Sequence, residues 1–404
     1  MGFDVRTVKD LDEFSSAVFA IGQYFGMTTT EERMQPFFDL ITAERMHAAW
    51  SDGAIVGGAG AFKFNLSVPG GDLPTAGVTV VGVYPTHRRR GVLRSLMRAQ
   101  LDDAHERSEP LAALWASEET IYGRFGYGLA SFAGEIKLAH EYASFAQQFE
   151  PEGTIRFLEP DEARETVSPV YERARRLTPG MFSRDQLWWE QREVRDPEER
   201  REGAGPKRWV AYERDGSVDA YACYRHKPGW DEGSTVAELR VIEALAATPT
   251  AERDLWGYLL SIDWKATLSA YLLPPDHPLF LLLATPRRLR YRMGDGIWVR
   301  LVDVGAALSA RTYSADGAVV FDVHDEFCPW NEGRWKLEDG QAARADEDAD
   351  IALSAQSLGS AYLGGVPFAA LARAGRAEEL RDGALQRADA LFRWDRHPWC
   401  PEIF

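Results

Sequence analysis

The sequence predicts an α+β protein built from two to three domains, and three observations carry that prediction. The chain has 404 residues, enough at roughly 150 residues per domain for several units that each bury a core. Short β-branched runs alternate with segments whose apolar residues recur at three- and four-residue spacing. A pattern that follows one strand, Pro85-Thr86-x-x-Arg89, returns after another as Pro249-Thr250-x-x-Arg253, so an internal duplication is expected.

The first part is expected over residues 1–148. Residues 45–64 read as two strands around the turn Ser51-Asp52-Gly53. The second of these strands is crowded with Gly57, Gly58 and Gly60. Those glycines miss the G-x-G-x-x-G spacing, so they predict a tightly packed central strand rather than a nucleotide loop. Pro69 to Asp72 turns the chain into a β-branched strand at 77–83. Leu93, Leu96, Met97, Leu101 and Ala104 then form one apolar stripe of a helix. A strand at 111–116 leads into Tyr122-Gly123-Arg124-Phe125-Gly126-Tyr127-Gly128.

The second part, 149–297, reads as a weakened copy of the first. It has a hairpin at Asp215-Gly216, a strand at 236–241 and a helix carrying Leu255, Leu259 and Leu260. The third part, 298–404, has strands near 318–323, 334–337 and 351–353 and a helix through Leu358 and Leu363. Its acidic loop from Asp346 to Asp350 reads as a solvated face. The tail is rich in Trp and Pro and stops at Phe404.

Composition narrows the function classes. Hydrophobic residues make up 45% and charged residues 27%, ordinary for a globular protein. No apolar run approaches the ~18 residues of a membrane span. The N-terminus lacks a signal-peptide pattern, and Gly2 lacks the Ser or Thr of a myristoylation motif because Thr7 falls one place late. A cytoplasmic protein is expected. The net charge of −16, from 46 basic and 62 acidic residues, repels nucleic acid and anionic membranes. It suits a cationic small-molecule partner, although solubility alone also explains it. Cys223, Cys328 and Cys400 are odd in number and form neither a zinc pattern nor a disulfide framework. None of the eight histidines has metal-ligand spacing, so no metal is expected. No G-x-S-x-G elbow supports a serine hydrolase.

The strongest chemical signal is the loop Tyr84-Pro85-Thr86-His87-Arg88-Arg89-Arg90-Gly91. A run of arginines at a helix N-terminus opposes the macrodipole. An anionic ligand explains that placement better than stability does. Free backbone N–H groups there suit a pyrophosphate such as that of coenzyme A. Arg89 and Arg90 add charge-assisted bonds, and Gly91 permits close approach because it has no Cβ. Gly82 is expected to host a bulge or splay that leaves Val81 and Val83 free to pair with pantetheine amides.

This block, from Val83 through Leu93, resembles the coenzyme A loop of the GNAT superfamily. Over the whole chain the sequence resembles the enhanced intracellular survival (Eis) family, on the Tyr122–Gly128 segment, the terminal domain and the aromatic last residue as well. The resemblance implies tandem GNAT folds followed by a sterol-carrier-like domain, acetyl-CoA as co-substrate and a homohexamer. It implies that Val81, Gly82 and Val83 contact pantetheine and that Arg89, Arg90, Gly91, Val92, Leu93 and Arg94 hold the pyrophosphate. Tyr122 and Gly123 would lie along the cofactor. Tyr127 matches the family's general acid, and the C-terminal carboxylate of Phe404 its general base.

Such chemistry is reasonable on its own terms. Amine attack on a thioester needs a base for the ammonium proton and an acid for the sulfur. A phenol of pKa ~10 can serve the sulfur, and a terminal carboxylate of pKa ~3.5 must be desolvated to serve the amine. Without the resemblance, Tyr127 reads first as a core tyrosine with a satisfied hydroxyl, and Trp399 and Phe404 as simple packing. Tyr24 and Phe25 through Phe37 and Phe38 are expected to line the amine pocket, with Trp188, Asp295 and Glu402 as further candidates for its wall. The expected acceptors are aminoglycoside-like polycations. The alternatives are protein lysines or, in another class, a non-catalytic binder of lipid or another ligand.

Overall fold

The computed structural model describes residues 3–28 and 30–404; the reading of Met1 and Gly2 lies outside the described residues. Among these, the strands form two seven-stranded sheets, a five-stranded sheet and a two-stranded ribbon. The chain divides into two compact units. One holds residues 1–131, 297–395 and 403–404, and the other holds 132–296 and 396–402. The divisions fall between 131 and 132 and between 296 and 297. Strand Phe132–Ala139 belongs to the second sheet, and strand Ile297–Leu301 belongs to the first. Strand Ile297–Leu301 pairs antiparallel with Leu111–Trp115, which covers a backbone edge that would otherwise stand unpaired.

In the first unit the elements run β1 (Asp4–Thr7), α1 (Leu11–Gly22), α2 (Glu31–Leu40), β2 (Met46–Ser51), β3 (Ala54–Val68), β4 (Gly71–Val83), α3 (Val92–Glu106), β5 (Leu111–Trp115), α4 (Glu119–Tyr122) and β6 (Gly128–Leu129). The sheet order is β1-β2-β3-β4-β5, then strand Ile297–Leu301, then β6. Only β4 and β5 run parallel. The β2–β3 turn is tight because Asp52 (φ 51°) and Gly53 (φ 80°) both take left-handed conformations, which suits a two-residue hairpin.

Helix α3 covers one face of this sheet. It buries Val92, Leu96, Met97, Leu101 and Ala104, the larger of these contributing ~1.5–3 kcal/mol each by leaving water. Met97 and Leu101 pack with Ala61, Ala76, Val78, Ala112 and Leu114. Helix α1 lies on the opposite face, close enough that glycine is required there. A Cβ on Gly58 would stand 2.5 Å from the Ala17 carbonyl oxygen. The glycines of β3 thus serve helix packing, as a crowded strand demands.

The second unit repeats the plan. Strand Glu238–Ala246 pairs parallel with Thr267–Leu273, and helix Pro249–Ser261 connects them. This strand starts at Glu238 rather than at 236, and Val236 is exposed. The hairpin at Asp215 and Gly216 is present, with Ser217 opposite Arg214. In the five-stranded sheet, Ala318–His324 pairs parallel with Ile351–Ser354. One member of the acidic loop departs from the solvated reading. Asp350 is buried, accepts the Val320 N–H at 2.8 Å and pairs with Arg381 and Arg387. Among the described residues no helix is long and apolar enough to cross a membrane.

Candidate active site

The site grows from the way β4 parts from its neighbour. β4 and β5 pair only over Thr75–Leu111, Ala76–Ala112 and Gly77–Ala113. β4 then continues six residues further, to Val83, without β5 beside it. On its other side, Gly58 faces Gly82 while Gly60 faces Thr79, so β4 carries one extra residue there. That residue pair is a β-bulge, and Val80 takes φ +48° within it. The bulge therefore rests on Val80 rather than on Gly82. Gly82 answers a different demand: a Cβ there would stand 2.5 Å from Ile21 Cβ and 2.6 Å from the Ile21 nitrogen. Tyr24 donates from its hydroxyl to the Val83 carbonyl at 3.1 Å.

The loop after β4 opens the N-terminus of α3. Arg89 (φ 61°) and Gly91 (φ 92°) are both left-handed, and such alternation turns successive N–H groups to one side. Space does not explain Gly91, because nothing of the protein lies within 4 Å of a Cβ built on it. Its conformation does. No side chain caps α3. The first helical bond of the N-terminal turn runs from Ser95 N–H to Gly91 O at 3.0 Å, so the N–H groups of Val92, Leu93 and Arg94 have no intrahelical partner. Arg88, Arg89 and Arg90 are exposed, and among the described residues none of them pairs with a carboxylate.

These features surround a cleft of about 770 Å³. Val81, Gly82, Val83, Arg89, Gly91, Val92, Leu93, Arg94 and Tyr122 line it, as expected from the sequence. Arg90 and Gly123 do not. Arg90 is exposed, and Gly123 packs against Gln356, whose Nε2 would be 2.4 Å from a Cβ there. Residues that the sequence did not single out for this wall include Ile21, Ser117, Glu118, Thr120 and Ile121. Several of these follow directly on the end of β5, which was the available signal. Tyr24 and Phe25, expected on the amine side, also line this cleft.

Tyr127 lies in the core just behind the wall. Its ring meets that of Tyr122 edge-on, with centroids 6.1 Å apart. It is fully buried, and its hydroxyl has no hydrogen-bond partner. Among the described residues no protein group pairs with that hydroxyl, so Tyr127 is a core tyrosine without a protein partner for its Oη–H. Burial pushes the Tyr127 phenol well above its ordinary range, with the Arg300 guanidinium pulling the other way. The Tyr122 phenol is pushed up to about 12, by burial first and by Glu118 second. Both stay protonated at neutral pH.

The end of the chain is held by packing. The Phe404 ring stands edge-on to Phe62 at 6.4 Å and to Phe64 at 5.1 Å, and Phe37 meets Phe62 at 5.8 Å. In the other unit, the Trp399 N–H donates to the Pro179 carbonyl at 2.8 Å. There Trp188 Nε1 donates to Glu402 at 3.0 Å, and Arg184 and Arg192 pair with the same carboxylate. Burial, and then the neighbouring Glu193, raise the Glu402 carboxyl well above its usual range. Trp188 and Glu402 thus hold each other. Asp295 lies on the edge strand Arg292–Asp295, opposite Phe132.

Comparison with known proteins assigns these parts. Family models described as acetyltransferase (GNAT) domains match residues 4–130 and 180–301, and a sterol carrier protein domain matches 304–401. The crystal structure of Eis1 from Mycobacterium abscessus is similar at a TM-score of 0.87 and 31% identity, covering 99% of this chain and 100% of that one. N-acetyltransferase Eis from Mycobacterium tuberculosis is 35% identical over 355 residues, 84% of each chain. The chain belongs to the Eis family of GNAT N-acetyltransferases. An N-acetyltransferase of Streptomyces avermitilis is 42% identical across the full length of both chains.

GNAT acetyltransferases use acetyl-CoA as co-substrate, and the residues of the first GNAT domain fit that ligand: free arginines, an uncapped helix and an unpaired strand edge. In this Eis-family chain the second copy is built differently at the same place. Thr248 caps helix Pro249–Ser261, accepting the Ala251 N–H at 3.3 Å, and Glu252 puts an acidic group in the first turn. That helix end is already satisfied. Among the described residues no cluster of His, Cys, Asp and Glu could hold a metal.

Proposed function

We propose that this acetyltransferase moves acetyl from acetyl-CoA to an amine of an aminoglycoside-like polycationic acceptor by direct attack. The observation that carries the reading is the cleft where unpaired Arg88 and Arg89, the uncapped start of α3 and the free edge of β4 meet. Backbone groups of Val81, Gly82 and Val83 pair with pantetheine. Arg88, Arg89, Arg94 and the N–H groups of Gly91, Val92 and Leu93 hold the pyrophosphate, and Arg90, outside the cleft lining, adds charge beside it. Tyr122 and Gly123 border the cofactor.

Tyr127 gives its proton to the departing sulfur, a role supported by a buried hydroxyl that has no other partner. The Phe404 carboxylate takes the ammonium proton, supported by the aromatic seat of Phe62 and Phe64. The middle part is a GNAT-like copy without its own cofactor, and the carrier-like part supplies the working carboxylate. The net charge of −16 favours a cationic acceptor. The assembly is the homohexamer of the family resemblance, which light scattering measures.

Thiol release from acetyl-CoA, measured with aminoglycosides, simple polyamines and lysine peptides, tests the acceptor. Fastest release is expected with aminoglycosides, and release with lysine peptides alone overturns that class. Tyr127→Phe is expected to lower kcat by ~10²-fold or more while the KM for acetyl-CoA stays constant.

A further inference from the structure

Arg300 lies on strand Ile297–Leu301, which joins β5 to β6. Its side chain is 0% exposed. One guanidinium nitrogen, Nη2, donates to the Asp325 carboxylate. Asp325 also accepts the Cys328 N–H at 2.9 Å and the Asn331 side-chain amide at 3.1 Å. The carboxylate thus takes three donors, and the Cys328 thiol also bonds the guanidinium; among the described residues no oxygen or nitrogen accepts from Nε or Nη1 of Arg300, which are buried. The Tyr127 hydroxyl has the same status.

The two groups are close in the fold. Gly126 precedes Tyr127 in the chain, and a Cβ on it would lie 2.1 Å from Nη1 of Arg300. Any side chain at 126 would displace the cation. Tyr127 and Cys328 belong to one apolar cluster, and the guanidinium acts electrostatically on the Tyr127 phenol. A buried cation whose remaining donors meet only a thiol, a weak acceptor, is costly to stability. An arrangement serving stability alone would occupy those donors or replace the pair by apolar side chains.

We infer that Arg300, held by Asp325, is a positioning residue for the proton transfer, its buried charge stabilising the phenolate that forms at Tyr127. In that step the amine nitrogen bonds to the acetyl carbon, and the C–S bond breaks with its electron pair on sulfur. The Tyr127 Oη–H proton goes to sulfur, and the ammonium proton goes to the Phe404 carboxylate. Tyr127 carries one negative charge until a proton returns to it from water, and Phe404 releases its proton to water. A preorganised cation in a dry site is most effective where charge develops during the reaction. Asp325 and Cys328 fall in the region matched to the sterol carrier family, so that region would supply the counter-charge that orients Arg300.

The inference rests on Tyr127 being the acid, and the test separates the two. A double-mutant cycle combines Arg300→Met/Asp325→Asn, which removes both charges together, with Tyr127→Phe. With Tyr127 present, the paired change is expected to lower kcat by at least ~10-fold, within the ~10²–10⁴-fold that general acid–base catalysis supplies. The KM for acetyl-CoA should stay within twofold. Arg300→Lys alone should recover most of the rate. In the Tyr127→Phe background the paired change should cost nothing further. Equal losses in both backgrounds, or no rescue by lysine, overturn the role of Arg300. Full activity of Tyr127→Phe overturns the acid itself, and this inference with it. If the paired variant fails to fold, Arg300→Gln replaces it in the same cycle, since it keeps a hydrogen bond to Asp325 without the charge.

Discussion

The ring of Phe404 meets that of Phe64 edge-on, with centroids 5.1 Å apart and planes at 79°. Phe64 in turn occupies the space left by Gly77, where a Cβ would stand 2.4 Å from its ring. Gly77 is the last residue of β4 that pairs with β5. The last residue of the chain is therefore packed on the strand pair at the point where the cleft begins to open.

With the Phe404 carboxylate as the base, the C-terminus is expected to be intolerant of change in length. A few added residues replace the terminal carboxylate with a neutral amide. Deleting Phe404 withdraws the carboxylate by up to ~3.5 Å and removes the aromatic contact. Both changes are expected to lower kcat by ~10²-fold with little effect on acetyl-CoA affinity, and only the deletion should also lower the melting temperature. A C-terminally extended protein with full turnover would refute the carboxylate base.

Arg88 and Arg89 line the cleft, whereas Arg90 does not. Arg88→Ala with Arg89→Ala is expected to weaken acetyl-CoA binding by ~10- to 100-fold, since charge-assisted bonds contribute ~1.5–3 kcal/mol each before screening. Arg90→Ala should cost less. Calorimetry should find one acetyl-CoA per chain, because Thr248 already caps the corresponding helix of the second copy.

Gly82 and Gly91 should fail differently when changed to alanine. At Gly82 the new Cβ meets the backbone of Ile21 at 2.6 Å, so α1 must move, at ~1–3 kcal/mol for overpacking. Both melting temperature and acetyl-CoA affinity should fall. At Gly91 no atom is in the way, and only the positive φ is strained. Affinity should fall more than stability there. Thermal melts and calorimetry on the two variants separate these outcomes.

Two neighbouring groups in the second unit give opposite pH dependences. Burial depresses His277 to about 3, and its Nδ1 accepts the Leu279 N–H at 3.2 Å. Below pH ~6.5 the unfolded chain takes up a proton that the fold refuses, so stability falls toward pH 3 at up to ~1.4 kcal/mol per pH unit. Burial raises Glu252 to about 7. Its folded form holds a proton that the unfolded chain releases above pH ~4.5, so its contribution is full below that pH and is lost as the pH rises through 7. His277→Asn should flatten the acid-side loss of stability, and Glu252→Gln should steepen it. Melts between pH 4.5 and 8 read both slopes.

Much of the fold is legible in local spacing. The α3 stripe, the turn at Asp52 and Gly53, and the strand-to-helix position of both Pro-Thr-x-x-Arg patterns follow from residues within a few places of one another. The two GNAT matches agree with the duplication read from those patterns. Most of the cleft lining from Val81 to Arg94 was legible for the same reason, because one loop carries it. That Tyr24 and Phe25 also border the cleft was not legible, because the α1 terminus reaches β4 across 59 residues, through the Tyr24–Val83 hydrogen bond.

By itself, then, the sequence determined the α+β class, the duplicated plan, the family and the arginine loop that opens α3, all of which depend on spacing along the chain. Tertiary structure alone decided which strand covers the edge of β5, that Val80 rather than Gly82 forms the bulge, and that Arg90 is left out of the cleft lining. It also decided that Arg300 stands against Gly126 and that Glu402 is held by Arg184 and Trp188. The physical reason is common to these cases. Edge pairing, bulge position and the partners of a buried charge are set by residues distant in the chain, 25 places apart for Arg300 and Asp325 and 214 for Trp188 and Glu402, and neither charge nor periodicity along the chain encodes which of them meet.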